Sequence, residues 1–313
     1  MAFSNTQHLL DVLETHRMKH VQAFVDKMSA KRDEIAKAIS TYYNGSCYEP
    51  FNSGSMAKHT ATNVKFDMDI VIPFKHDAFD KLEDMYNDVF DFLDDKYKDV
   101  ATVRKQKVSI GISFPIEAGD DKPVEIDVVP GRETSIGSYK ESKDLNIYVR
   151  KSNWGLADGS YMKTNIQNQR DFILGKNSER QIIRLLKIWK KQNAKPYKSC
   201  VIELAVIEAF EGYTGDPNLW ERLKYAMEYL RNNINDNSYH LYDPGNSNND
   251  VVASMSQIDR SALKSDLTSM LINIESNPSV YLPYYFKIND KYKGYGEKSQ
   301  GSPYPTTTKR FGY

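Results

Sequence analysis

Three acidic side chains of this 313-residue chain stand where carboxylates can do chemistry. Asp67 and Asp69 flank Met68 at the head of the apolar run Met68-Asp69-Ile70-Val71-Ile72-Pro73-Phe74. On a strand, residues two apart project from one face, so these two carboxylates point the same way. Like charges held side by side repel, and a bound cation ordinarily offsets that cost. Asp127 lies in a second apolar run, among Ile126, Val128 and Val129. If the two runs pair, three carboxylates meet, enough to hold two Mg2+ ions (Mn2+ is the alternative) for in-line phosphoryl transfer. Magnesium takes few carboxylates and completes its shell with water and substrate phosphate, which suits this set.

Upstream, Phe51-Asn52-Ser53-Gly54-Ser55-Met56-Ala57-Lys58-His59-Thr60 is a small-residue turn able to open a short helix. Gly54 lets the backbone approach phosphates, N–H groups at a helix start favour an anion, and Ser55 adds a hydroxyl donor. Taken singly, a Gly-Ser turn or an Asp-x-Asp pair is most often a plain turn, a solvated edge or a cap. Their order is far more specific: Gly-Ser, about a dozen residues, Asp-x-Asp on an apolar strand, then Asp inside a later apolar strand. His59 is notable only for its position, and a packing or surface role suits it.

These side chains need elements to hold them. Apolar residues at helical spacing from Leu9 to Tyr42 predict one long helix, straight or bent, over 6–43, stopped by Asn44-Gly45-Ser46. Residues 76–97 carry a second helical stripe. Segments 108–114 and 124–129, joined by the turn at 117–122, predict an antiparallel hairpin. Beyond about residue 165 the periodicity is helical. Ser178 and Gln181 have capping-box spacing ahead of Ile182, Leu185, Leu186 and Trp189, and further helical patterns cover 199–211, 217–233 and 256–274. Lys187 interrupts an otherwise apolar block, where it either snorkels to a solvated face or reaches an anion. The amides of Thr164-Asn165-Ile166-Gln167-Asn168 can read base edges or cap a helix. The Gly-, Pro- and Ser-rich end, from about 291, has the composition of a mobile tail.

Composition sets outer bounds. At ~150 residues per domain the length suggests two lobes, and a mixed α+β half followed by a helical half places a ligand cleft between them. A hydrophobic fraction of 40% supports a real core. Forty-two basic and 42 acidic residues cancel, against constitutive coating of DNA but not against a local basic pocket. Cys47 and Cys200 stand alone, too few for a zinc ribbon or disulfide framework. The N-terminal residues lack a signal-peptide pattern, and no apolar run reaches the ~18 residues of a membrane span. The expectation is a soluble, cytoplasmic protein.

The ordered set Gly54-Ser55, Asp67-x-Asp69 and Asp127 resembles that of the polymerase β-like nucleotidyltransferases. More narrowly, the chain resembles the bacterial branch of the cyclic GMP-AMP synthase and oligoadenylate synthase group, the CD-NTases of antiphage CBASS signalling. Ile182–Lys190 is similar to that family's central helix, Lys198–Leu204 to the helix after it, and Leu241-Tyr242-Asp243-Pro244-Gly245-Asn246 to a shared Asp-Pro segment. The resemblance implies an α+β fold: a palm of small mixed sheet and helices over 1–160, packed against a helical lobe over 161–313. It implies that Asp67, Asp69 and Asp127 are the catalytic, metal-binding triad. It further implies that Gly54 and Ser55 hold a donor triphosphate which Lys187 and Ser199 also reach. Lys190, Lys191, Lys195 and Lys198 read as surface charges that can add to the field over the triphosphates. The implied activity is condensation of nucleoside triphosphates into a cyclic di- or trinucleotide messenger. A downstream effector and an accessory regulatory protein are the implied partners. The zinc thumb with which human cyclic GMP-AMP synthase holds DNA has no counterpart in two scattered cysteines. Two other functions remain open: template-independent nucleotidyl transfer to RNA, protein or a small molecule, and non-catalytic nucleotide sensing.

Overall fold

The structure is a computed structural model that describes residues 2–150 and 159–294. The chain opens with α1 (Asn5–Thr15) and α2 (Gln22–Tyr42), separated by a 3-10 turn at Met18–Val21. The single helix expected over 6–43 is therefore two. Its break has a cause outside the segment. The Asn63 side-chain amide donates to the carbonyls of Thr15 (2.9 Å) and Arg17 (3.2 Å), and its backbone N–H donates to that of His16 (3.1 Å). A distant loop thus occupies carbonyls that a continuous helix would need for itself. Asn44-Gly45-Ser46 follows the end of α2 as expected, with Gly45 at φ +79°.

Next come β1 (Phe51–Ser53), α3 (Gly54–Ala57), β2 (Met68–Phe74) and α4 (Leu82–Tyr97). A 3-10 turn at His76–Ala78 stands where the second helix was expected to start. Then follow β3 (Thr102–Lys105), β4 (Ile110–Phe114), β5 (Val124–Glu133), α5 (Tyr139–Ser142), β6 (Leu145–Val149) and β7 (Ser160–Thr164). The sheet runs β1-β2-β5-β4-β3, with β6 and β7 added through β5. Among the described residues only β2 and β5 pair in parallel, and β4–β5 is the predicted antiparallel hairpin. Val25, Met28, Ile35 and Ile39 of α2 and Met85, Val89 and Leu93 of α4 join Ile70, Ile72, Ile112 and Ile126 in one core. Each such burial contributes ~1.5–3 kcal/mol.

The second lobe comprises α6 (Ile166–Leu174), α7 (Asn177–Gln192), α8 (Ser199–Ala209), α9 (Leu219–Asn233), β8 (Tyr242–Asp243), β9 (Asn246–Asp250), α10 (Gln257–Ser276) and α11 (Pro278–Tyr285). Its core takes Leu9 and Val12 from α1 together with Ile182, Leu185, Leu186 and Trp189, the stripe expected on α7. The break before α2 is what lets α1 pack on this lobe while α2 packs on the sheet. Helix α7 starts earlier than the supposed capping box: its N-cap is Lys176, and the Ser178 hydroxyl donates to Glu179 instead (2.9 Å). The hairpin β8–β9 was not foreseen, because Asn-Ser-Asn-Asn-Asp shows no apolar alternation. Buried Asp243 anchors it, accepting from Gln169 (2.8 Å), the Gly245 N–H (2.8 Å) and Asn249 (3.2 Å). Of the expected tail, residues 295–313 lie outside the described residues. Before them, Tyr292 stacks on His20 with ring centroids 4.8 Å apart. No helix among the described residues is long and apolar enough to cross a membrane.

Candidate active site

Sheet register brings the predicted residues together. Asp69 lies directly opposite Asp127 in the parallel β2–β5 pair and opposite Ser53 in the antiparallel β1–β2 pair. Cα partners on adjacent strands point to the same face, so Asp69 and Asp127 share one side of the sheet, and Asp67, the residue just before β2, is close enough to act on both carboxyls. The turn after Ser53 then sets Gly54 against Asp69. A Cβ at Gly54 would lie 1.7 Å from Asp69 Oδ2, and its φ is +69°. Glycine is required there twice over, by contact and by backbone conformation.

The carboxylates carry the electrostatic cost of this crowding. Burial, then Asp67 and Asp127, push the Asp69 carboxyl up to about 7, against the pull of Lys58 and Lys187. Burial and Asp67 push Asp127 up to about 6, with Gln106 opposing. Gln106 donates to Asp127 Oδ1 (2.9 Å), and its own carbonyl oxygen Oε1 accepts from Ser109 (2.8 Å). Gly111, opposite Asp127 on β4, leaves the room: a Cβ there would meet the Gln106 amide nitrogen at 2.4 Å. Sequence reasoning missed Gln106, since a lone glutamine in a turn carries no pattern.

Beside the carboxylates lies a cavity of about 600 Å³ whose wall includes Ser55, Asp67, Lys187 and Ser199. Its other charged lining residues are Lys58, Lys65, Lys190, Lys191, Lys195 and Glu203. Lys190, Lys191 and Lys195, expected as surface charges adding to a field over phosphates, line the cavity, although Lys195 is paired with Asp266 (2.7 Å), while Lys198 donates to the Ser254 carbonyl (2.9 Å). Lys190 donates to Ser199 Oγ at the start of α8 (2.9 Å). Lys187 does not snorkel to water: it donates to Glu203 Oε1 and Thr60 Oγ1, both at 3.1 Å. Helix α3 is a single turn and has little dipole of its own, so the positive charge available to an anion in this cavity is chiefly that of its lysines. Lys58 and Glu203, too, went unrecognised in the sequence, because a helical Glu one turn after Ser199 looks like any solvated charge.

Other expected roles resolve differently. Asn165 is used by the fold: its Oδ1 caps α6 by accepting from the Asn168 N–H (2.9 Å), and its amide donates to the Ser142 carbonyl (2.6 Å) and to Asp144 (3.0 Å). It has no donor left to read a base. His59 is exposed at φ +56° on the wall of a larger cavity, about 1010 Å³, between α1 and α7. That cavity shares only Thr62 with the lysine-lined one and holds none of the three strand carboxylates.

Among the described residues no three His, Cys, Asp or Glu side chains form a ready-made metal cage. The donor set nevertheless fits Mg2+. It offers hard oxygen ligands, too few to enclose an ion alone, whose mutual repulsion a cation relieves, next to a cavity suited to the phosphates that complete its shell.

No protein-family model matches the sequence, and no curated relative matches it either. The fold does have solved likenesses. CdnC of E. coli MS115-1, in its structure with ATP, superposes with a TM-score of 0.68 at 19% identity, over 92% of this chain and 98% of that one. The Bradyrhizobium diazoefficiens CD-NTase CdnG, in complex with GTP, gives 0.68 at 14% identity, over 90% and 95%. This chain has the CD-NTase fold. A third structure with that fold is the CdnE cyclic dinucleotide synthase of Elizabethkingia meningoseptica with GTP and Apcpp, at TM-score 0.59 and 14% identity, covering 86% of this chain and 99% of that one.

Proposed function

We propose that this chain is a metal-dependent nucleotidyltransferase that condenses nucleoside triphosphates into a cyclic di- or trinucleotide messenger, in the manner of CBASS signalling. One observation carries the reading: the strand register that sets Asp69 opposite Asp127 and against Gly54, with both carboxyls raised by Asp67, which lines the lysine-rich cavity. The CD-NTase fold, found in proteins solved with ATP, GTP and Apcpp, supports nucleotides as the substrates.

Ser55, Lys187, Lys190 and Ser199 would hold the triphosphate, whose negative charge matches the ammonium groups around it. Asp67, Asp69 and Asp127 would hold Mg2+. Bound there, the metal supplies acidification of an acceptor ribose hydroxyl and neutralisation of the leaving group. The acceptor hydroxyl would give up its proton to solvent, its oxygen would bond to the α-phosphorus, and the bond from the α-phosphorus to the α–β bridging oxygen would break as pyrophosphate leaves. With Oδ1 of Asp127 engaged by Gln106, Oδ2 is the atom left to face the acceptor. The test is to incubate the purified chain with all four triphosphates and Mg2+ or Mn2+. Pyrophosphate release together with a phosphodiester product in the mass spectrum is expected. Nucleotide binding without any product would favour a sensor instead.

A further inference from the structure

The cavity wall contains one carboxylate that the mechanism does not use. Glu203 sits on α8 one turn beyond Ser199 and is only 4% exposed. Its Oε2 accepts from Lys58 Nζ (3.1 Å), and its Oε1 accepts from Lys187 Nζ and Thr60 Oγ1 (both 3.1 Å). Thr60 is fully buried, and its hydroxyl also accepts from Lys187 (3.1 Å). Lys58 and Thr60 follow the Gly-Ser turn of the sheet lobe, whereas Lys187 and Glu203 belong to the helical lobe. The cluster therefore ties the two walls of the cleft together.

We propose that Glu203 is a positioning residue for triphosphate binding, holding one lysine from each lobe with its remaining donors turned to the cavity. This rests on the reading of that cavity as the phosphate site. The donor count supports it. Each ammonium has three N–H groups. Among the described residues Lys187 spends two of its donors and Lys58 one, leaving three for an anion without breaking any bond to Glu203. A free lysine side chain would have to be ordered at the moment of binding, and here that ordering is already done. The carboxylate also relieves the mutual repulsion of Lys58 and Lys187 while the cavity is empty of phosphate. Burial alone would raise the Glu203 carboxyl, but the two lysines more than reverse this and hold it below the usual range.

A simpler electrostatic account makes the opposite prediction. A fixed negative charge beside an anion site repels the ligand, so removing it would tighten binding. The experiment is calorimetry of inorganic tripolyphosphate, with Mg2+, on the full chain. Glu203→Gln should weaken binding at least tenfold and raise the KM for nucleoside triphosphates by more than it lowers kcat. Glu203→Asp should restore part of the affinity. Should Glu203→Gln fold poorly, Glu203→Asp serves alone: it keeps the charge but falls one carbon short of both lysines, so it should bind tripolyphosphate severalfold more weakly than the unaltered chain, and equal binding overturns the proposal. Equal or tighter tripolyphosphate binding by any folded Gln variant overturns the proposal for Glu203 alone. No binding by the unaltered chain overturns the phosphate-site reading itself, and the proposal with it.

Discussion

At the scale of single residues, the site depends on close approach. Gly54 illustrates this best, since its neighbour Asp69 occupies the space a side chain would need. Gly54→Ala should lose ~1 kcal/mol from its left-handed backbone and, by displacing the Asp69 carboxylate, at least ~tenfold in product formation. Gly45→Ala is the control: its φ is +79° but nothing lies within 4 Å, so stability should fall while activity holds. Thermal melts and initial rates on both variants separate strain from displacement. The raised carboxyls give a second handle. Asp69 and Asp127 are shifted from 3.8 to about 7 and about 6. The folded chain therefore keeps protons that the unfolded chain has released. Stability from this source is full below about pH 4 and is lost as pH rises through 6 and 7. In chelator, the Tm should thus fall between those values, and Asp69→Asn should flatten the fall and melt higher at pH 8. Added Mg2+, which favours the ionised forms, should shrink the slope for the unaltered chain. A Tm that rises with pH in chelator would contradict these shifts.

At the scale of elements, much was legible in the sequence where one segment determines its own state. Alternation and turn residues marked β2, β4 and β5, and the apolar stripe of α7 emerged as its buried face. The failures involve partners distant in sequence. Nothing between Leu9 and Tyr42 says that Asn63 will take the carbonyls at 15–17, so a periodic pattern looked continuous. Asn63→Ala should cost ~1–3 kcal/mol, because buried carbonyls lose their donor, while nucleotide binding at the lysine-lined cavity persists. Denaturant melts with tripolyphosphate titration check this; a variant as stable as the original would remove Asn63 as the cause of the break. The β8–β9 hairpin was hidden for a similar reason: its stability comes from Asp243 and Gln169, not from apolar alternation. The candidate site follows the same division. Its carboxylates and Gly-Ser turn were legible as an ordered set, whereas Gln106, Lys58 and Glu203 are defined only by what they touch.

At the scale of the molecule, the described residues form two large apolar cores, with a small third cluster of Val71, Tyr139 and Leu145, and the two large ones meet along a polar seam. One holds the sheet with α2 and α4, the other the helical bundle with α1. Around the seam, charge is concentrated although the whole chain is neutral: six cavity lysines face two cavity carboxylates, Asp67 and Glu203. On the proposed reading such a local field would attract polyphosphate, while the chain as a whole has no excess of either sign. Asp69 and Asp127 lie on the sheet next to Asp67 of the cavity wall, so the proposed chemistry would fall where the sheet lobe meets the helical lobe.

The central claim is that these strand carboxylates perform nucleotidyl transfer while the lysines bind the triphosphate. The most direct test is to compare Asp127→Asn with the unaltered chain in one assay of product mass and one of tripolyphosphate binding. The substitution keeps the side chain's shape and removes only its charge. The account predicts a phosphodiester product and pyrophosphate from the unaltered chain with Mg2+. From Asp127→Asn it predicts almost no product at nearly unchanged tripolyphosphate affinity. Near-normal turnover by Asp127→Asn would contradict it.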